Sequence, residues 1–249
     1  MPSTPESNVR IILLDIEGTT TPVKFVYEKL FPYANQKLES FLLDHFQIPE
    51  ILAVIEALRT QFQQDERQGL HPPPWNDAAS EERLRSSVAY AQWLIARDSK
   101  CTPLKTLQGK IWQEGYARGE LRGEVYEDVP RALQRWRQQG RDICIYSSGS
   151  VLAQELLFRT TKFADLTQYI SGFFDTQVGA KSESESYRKI AASIKQAPAK
   201  VLFISDAMKE VEAARAAGMQ ALLCQREADS DTSAIKQPVI RTFDEVLPD

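Results

Sequence analysis

Short, uniformly apolar runs and amphipathic stretches alternate along the chain, but the spacing is uneven. Residues 9–15, 142–147, 200–204 and 220–224 are apolar β-forming runs, and a shorter one near 169–174 adds a fifth candidate. Runs of this length without polar alternation suit strands buried on both faces, as in a parallel α/β sheet. Residues 25–120 carry no such run. There Ile51, Ile55, Leu58 and Phe62, and then Leu84, Val88, Ala91 and Ile95, recur at the spacing of one helical face. Between them lies Gln68-Gly69-Leu70-His71-Pro72-Pro73-Pro74. No helix can cross it, because proline lacks the N–H donor and clashes with the preceding turn.

The α/β rhythm resumes at residue 125. Asp128 and Pro130 mark a helix start and Gly140 its stop, with Leu133 and Trp136 on the buried face. The strand Asp142–Ser147 is followed by a helix from Val151, and a further helix begins near Ser186 with Tyr187, Ile190 and Ile194 inward. Val201–Ser205 then feeds a helix over Glu210–Ala217 that stops at Gly218. The pattern predicts an α/β parallel-sheet core made by residues 1–21 and 123–249, with an all-helical cap, residues 22–122, inserted after the first strand. An insert of about a hundred residues is large enough to own a small core.

Composition narrows the function classes. The 249 residues are 43% hydrophobic and 26% charged, as in ordinary globular proteins. A net charge of −4 argues against a nucleic-acid partner, which needs a basic surface. No apolar run reaches the length of a membrane span. The opening Met-Pro-Ser-Thr-Pro-Glu-Ser-Asn has neither the basic nor the apolar segment of a secretion signal, so a cytoplasmic location is expected. Cys101, Cys144 and Cys224 form no C-x-x-C pair, and the latter two sit in apolar runs as small core residues. With His45 and His71 the only histidines, a histidine-rich zinc or iron site is not expected, and any metal should be held by oxygen. No heptad seam suggests a coiled-coil oligomer, so a monomer is expected.

The candidate chemistry lies at strand ends. The first run, Ile11-Ile-Leu-Leu14, leads into Asp15-Ile-Glu17-Gly-Thr-Thr20. Ligands bind beyond the carboxyl ends of parallel strands, and Glu17 points to the same side as Asp15 because side-chain direction repeats every second residue. The run ending at Tyr146 opens into Ser147-Ser148-Gly149-Ser150 and a helix, a natural phosphate cradle in which Ser150 is the cap and Ser147 the ligand candidate. Gly179-Ala-Lys181 supplies a cation that a phosphate site rich in carboxylates needs. Val201–Ser205 ends in Asp206. If its strand neighbours the first, at a spacing of about 5 Å, Asp15 and Asp206 can share one magnesium ion, which prefers oxygen ligands and few carboxylates.

The order Asp-x-Glu-Gly-Thr-Thr, strand-Ser, Lys, strand-Asp resembles the haloacid dehalogenase superfamily of aspartate-nucleophile phosphatases, over essentially the whole chain. Glu17 replaces the Asp that most of them carry two residues after the nucleophile. Together with Tyr146-Ser-Ser-Gly-Ser-Val-x-Ala-Gln154, Gly179-Ala-Lys181-Ser-Glu183-x-x-Ser186-Tyr187 and Leu104-Lys105-x-Leu-Gln108-Gly109-x-Ile-Trp112, it resembles the acireductone synthases, the enolase-phosphatases of methionine salvage. Where that family has Glu-Leu-Asp-Ala-Ala, this chain has Glu210-Val-Glu212-Ala-Ala.

The resemblance implies a Rossmann-like core with a helical cap. It also implies enolisation of 2,3-diketo-5-methylthiopentyl-1-phosphate, followed by loss of phosphate to give acireductone. It makes Asp15 the nucleophile and Glu17 the acid and base. Mg2+ would be held by Asp15, the carbonyl of Glu17 and Asp206, and the substrate phosphoryl oxygens by Ser147, Ser148 and Lys181. Leu107, Trp112 and Tyr116 are expected in the cap core, with Lys105 and Gln108 as candidates to line the site. Another magnesium-dependent phosphatase or phosphomutase of the same superfamily and a receiver-like switch phosphorylated on Asp15 are the alternatives; a receiver carries no such insert.

Overall fold

The computed structural model describes residues 8–227 and 239–248, so most of the opening stretch read for a secretion signal lies outside the described residues. Among the described residues, six strands form one sheet: β1 (Ile11–Leu14), β2 (Asp142–Tyr146), β3 (Gly172–Phe174), β4 (Val201–Ser205), β5 (Gln220–Cys224) and β6 (Val239–Ile240). All pairs are parallel, in the order β3-β2-β1-β4-β5-β6. The two central strands, β1 and β4, are buried along their whole length, which is why they read as unbroken apolar runs.

Side chains alternate across this sheet. Ile11, Leu13, Cys144, Tyr146, Val201 and Phe203 pack on one face with Tyr187 and Ile190 of the helix Ser184–Ser193 and Val211 and Ala214 of the helix Met208–Ala216. Ile12, Leu14, Ile143, Ile145, Leu202 and Ile204 point to the other side, and the helix Val129–Gln138 lies along β2. Fully burying one such side chain contributes about 1.5–3 kcal/mol, so the centre of the sheet is its best-anchored part.

Several element boundaries differ from the sequence expectation for local reasons. The apolar stretch near 169–174 divides into a 3-10 turn, Leu166–Tyr169, and the short edge strand β3. The helix expected from Glu210 begins two residues earlier, at Met208. Two-residue β6 was not anticipated, because so short a run has no readable period. Asp128 does stand at its helix start, yet its carboxylate caps nothing there and is used elsewhere.

The chain forms two compact units: one runs up to Phe25 and resumes at Arg122, and the other is Val26–Leu121. The second unit is all helical. A five-residue π turn, Val26–Leu30, leads to the helices Phe31–His45, Pro49–Arg67, Ser80–Ala96 and Thr102–Ala117. Its core includes Leu38, Leu42, Ile55, Leu58, Leu94 and Leu107. Leu94 takes the buried position expected of Ile95, which is half-buried, as the helical stripe drifts by one residue. The buried Asp65 carboxylate is satisfied by Tyr90 Oη at 2.6 Å and Gln61 Nε2 at 2.8 Å. Trp112 and Tyr116 are buried, Trp112 donating its ring N–H to the Leu30 carbonyl at 2.9 Å. Gln108 is also buried in this unit and Lys105 half-buried. Among the described residues no helix is long and apolar enough to cross a membrane.

Candidate active site

The site begins where β1 runs out. The Asp15 N–H still bonds the Ile204 carbonyl at 3.0 Å, so Asp15 leaves the sheet beside the end of β4, and it is 4% exposed. The chain then turns tightly. The N–H groups of Thr19, Thr20 and Thr21 converge on the Ile16 carbonyl at 3.2, 3.0 and 2.9 Å, and Thr20 Oγ1 donates to the Asp15 carbonyl at 3.1 Å. Gly18 sits at φ 68°, in the left-handed region open to glycine. A Cβ there would stand 2.1 Å from Asp206 Oδ2, so the bare backbone lets the Asp206 carboxylate approach. The Asp206 N–H donates to Thr19 Oγ1 at 3.0 Å, stitching the loops after β1 and β4 together.

Lys181 bridges two carboxylates. Its Nζ lies 2.5 Å from Asp15 Oδ1 and 2.7 Å from Glu210 Oε2, on a side chain 10% exposed. Three hydroxyls hold the loop that presents it. Tyr146 Oη donates to the Gly179 carbonyl at 3.0 Å, Ser186 Oγ to Ala180 at 2.7 Å, and Tyr187 Oη to Lys181 at 2.8 Å. Ser205 Oγ lies 2.8 Å from Glu210 Oε2 and 3.3 Å from Asp15 Oδ2, its single proton serving the nearer.

Charge follows from this geometry. Burial alone would lower the Lys181 ammonium, but Asp15 and Glu210 more than reverse that and raise it, so it stays charged. Burial and then Asp15 push the Glu210 carboxyl up. Asp206 keeps one side open to solvent, yet packing against the site, then Asp15 and Glu210, push its carboxyl up to about 7, with Lys181 opposing them. Glu17, half-buried, adds to that field.

The acids thus exceed what one lysine offsets, and a hard divalent cation fits the surplus. Among the described residues, no three or more His, Cys, Asp or Glu side chains form a cage that could hold a metal ion. Magnesium asks for less, since one or two carboxylates, a carbonyl and waters complete its shell.

Ser147 and Ser148 belong to the adjoining strand end. Leu14 pairs with Ile145, which sets Asp15 beside Tyr146 and Ser147 one step beyond. Ser147 is buried, its Oγ receiving the Gly149 N–H at 3.2 Å, while Ser148 is half-buried on the same turn. Ser150 caps the following helix through the Ala153 N–H at 3.3 Å. Gln154 secures this turn to β3, its Nε2 donating to the Gly149 and Phe174 carbonyls at 2.8 Å each. Sequence reasoning reached Asp15, Glu17, Lys181 and Asp206, and structure places all four at the ends of β1 and β4 or against them. It did not assign Glu210, Ser205 or Thr19 a part. The signal for Glu210 was its place in the first turn of the helix that follows Asp206.

A family model for haloacid dehalogenase-like hydrolases matches residues 9–218. The chain is 45% identical to enolase-phosphatase E1 of Synechococcus elongatus, covering 96% of this chain and 98% of that one. It is 43% identical to enolase-phosphatase E1 of Drosophila melanogaster, covering 92% and 88% respectively. Among solved structures, the UTR4 protein of Saccharomyces cerevisiae superposes with a TM-score of 0.75 at 32% identity, covering 94% of this chain and 98% of that one.

Proposed function

From the premise that the chain belongs to the haloacid dehalogenase-like hydrolases, in their enolase-phosphatase branch, we propose how its own residues divide the work. The activity is enolisation and dephosphorylation of 2,3-diketo-5-methylthiopentyl-1-phosphate in methionine salvage, giving acireductone and phosphate. An Asp15 oxygen attacks phosphorus, and the bond between phosphorus and the substrate oxygen breaks as Glu17 gives that oxygen its proton. Water then attacks the aspartyl-phosphate, yielding its proton to Glu17, and phosphate leaves Asp15.

The observation that carries this reading is the Lys181 bridge, which holds a permanent positive charge 2.5 Å from the attacking carboxylate. Lys181 both aims Asp15 and neutralises phosphoryl oxygen, with Ser147 Oγ and the Ser148 N–H as further donors. Asp15, the Glu17 carbonyl and Asp206 would hold Mg2+, which supplies Lewis-acid charge stabilisation for the transferring phosphoryl group. Glu210 keeps Lys181 in place, and Ser205 orients Glu210 through its hydroxyl proton.

Before phosphoryl transfer, a base must take a proton from the substrate carbon bearing the phosphate while the neighbouring carbonyl oxygen gains one from solvent; the proton that Glu17 takes is the one it then gives to the leaving oxygen. Glu17, one methylene longer than the usual Asp, has the reach for both steps. Incubation with the diketone phosphate and Mg2+, following enol absorbance and free phosphate together, tests the assignment. Asp15→Asn should release no phosphate; release at the wild-type rate overturns it.

A further inference from the structure

Arg226 lies just beyond β5, outside every motif considered above, and its side chain is 6% exposed. Its guanidinium stands between two rings, 4.4 Å from the Tyr126 centroid and 4.5 Å from that of Phe243. Nη1 pairs with Asp128 Oδ2 at 2.6 Å, and the same oxygen accepts the Phe243 N–H at 2.6 Å. Nε and Nη2 both donate to one acceptor, the Thr19 carbonyl, at 2.9 and 2.6 Å. Burying such a pair costs several kcal/mol per ion before attraction repays it, so a purely stabilising role would be met more cheaply by apolar residues. What the pair secures is a backbone carbonyl in the loop that leaves Asp15.

We propose that Arg226 is a positioning residue for the reaction: by clamping the Thr19 carbonyl it fixes the loop on which the nucleophile and the magnesium ligands depend. Thr19 links them. Its carbonyl is held by Arg226 and its Oγ1 receives the Asp206 N–H. One residue before it, Gly18 packs directly against the Asp206 carboxylate; one residue after, Thr20 bonds the Asp15 carbonyl. Releasing the clamp lets the Glu17 carbonyl and Asp206 drift apart. Lysine cannot replace the arginine, since one ammonium cannot reproduce the planar fork that grips Thr19 and Asp128 together.

This inference rests on the metal site proposed above, and the experiment separates the two. Mg2+ is titrated calorimetrically into substrate-free wild type, Asp206→Asn, Arg226→Lys, Thr19→Val and the Arg226→Lys/Thr19→Val double variant, with kcat and KM measured alongside. Arg226→Lys should weaken Mg2+ binding by about tenfold or more and lower kcat with a smaller change in KM. Thr19→Val should do likewise, and the double variant should be no worse than the more severe single one, since the two break successive contacts of one chain from Arg226 to Asp206. A folded Arg226→Lys enzyme with wild-type Mg2+ affinity and kcat, whatever its Tm, overturns the inference, as do additive effects in the double variant. If Arg226→Lys does not fold, Asp128→Asn, which removes the charge that holds the guanidinium against Thr19 and leaves Arg226 in place, decides by the same two readouts. Wild-type affinity in Asp206→Asn instead sinks the metal site itself.

Discussion

The division of labour among single residues turns on reach and charge. Glu17→Asp shortens the proposed acid–base group by one methylene while keeping its charge. Enol formation from the diketone phosphate, read by its ultraviolet absorbance, should fall more than phosphate release from a simple ester does. Equal losses would show that the extra methylene of Glu17 is not what enolisation needs. Asp15 and Asp206 could be picked out in the sequence because each closes an apolar run, and Lys181 because a phosphate site rich in carboxylates needs a cation. Arg226 and Ser205 could not, because a lone polar residue at a strand's end has no period to betray its partner. The cysteines were readable for the opposite reason. Cys144 and Cys224 lie inside apolar strands, are buried, and have thiols pushed up to about 12 by that burial. A thiol reagent that attacks thiolates should therefore modify Cys101, which is half-buried, in the folded protein, and reach the other two only after unfolding. Fast labelling of all three without denaturant would contradict that packing.

Among the elements, the turn after β1 carries the tightest requirement. Gly18→Ala meets both a left-handed backbone and an atom 2.1 Å away on Asp206. The backbone alone costs about 1–2 kcal/mol, and relieving the contact must displace Asp206. Gly140→Ala has a similar φ, 75°, but open space around the added carbon. Both variants should lose a comparable backbone contribution in urea unfolding. Gly18→Ala alone should also lose Mg2+ binding and phosphate release, and full activity in that variant would refute the close approach. The buried central strands and the proline break in the helical unit were plain in the sequence, since both are set by local composition. β6, the divided 169–174 stretch and the π turn at Val26–Leu30 were not, because pairing partners and neighbouring helices decide them.

At the scale of the whole molecule, the cluster at the sheet's carboxyl edge sets a pH dependence of stability. Asp206 is raised from the ordinary 3.8 to about 7 in the folded protein. Between those values the folded state keeps a proton that the unfolded chain has lost, so unfolding releases protons and stability declines as pH rises. The contribution is fully present below about 4 and is lost as pH climbs through about 7. Glu210, also raised, acts in the same direction, whereas the raised Lys181 stays charged in both states across this window. In protein stripped of divalent metal, wild type and Asp206→Asn should melt together only below about pH 4, where the acid is protonated in both the folded and the unfolded chain and resembles the amide. Towards pH 7.5 wild type should fall below the variant, and added Mg2+ should restore wild type while leaving Asp206→Asn unmoved. Melting curves that stay parallel across the range would mean that Asp206 carries no such excess of negative charge, and the case for a cation between it and Asp15 would go with it.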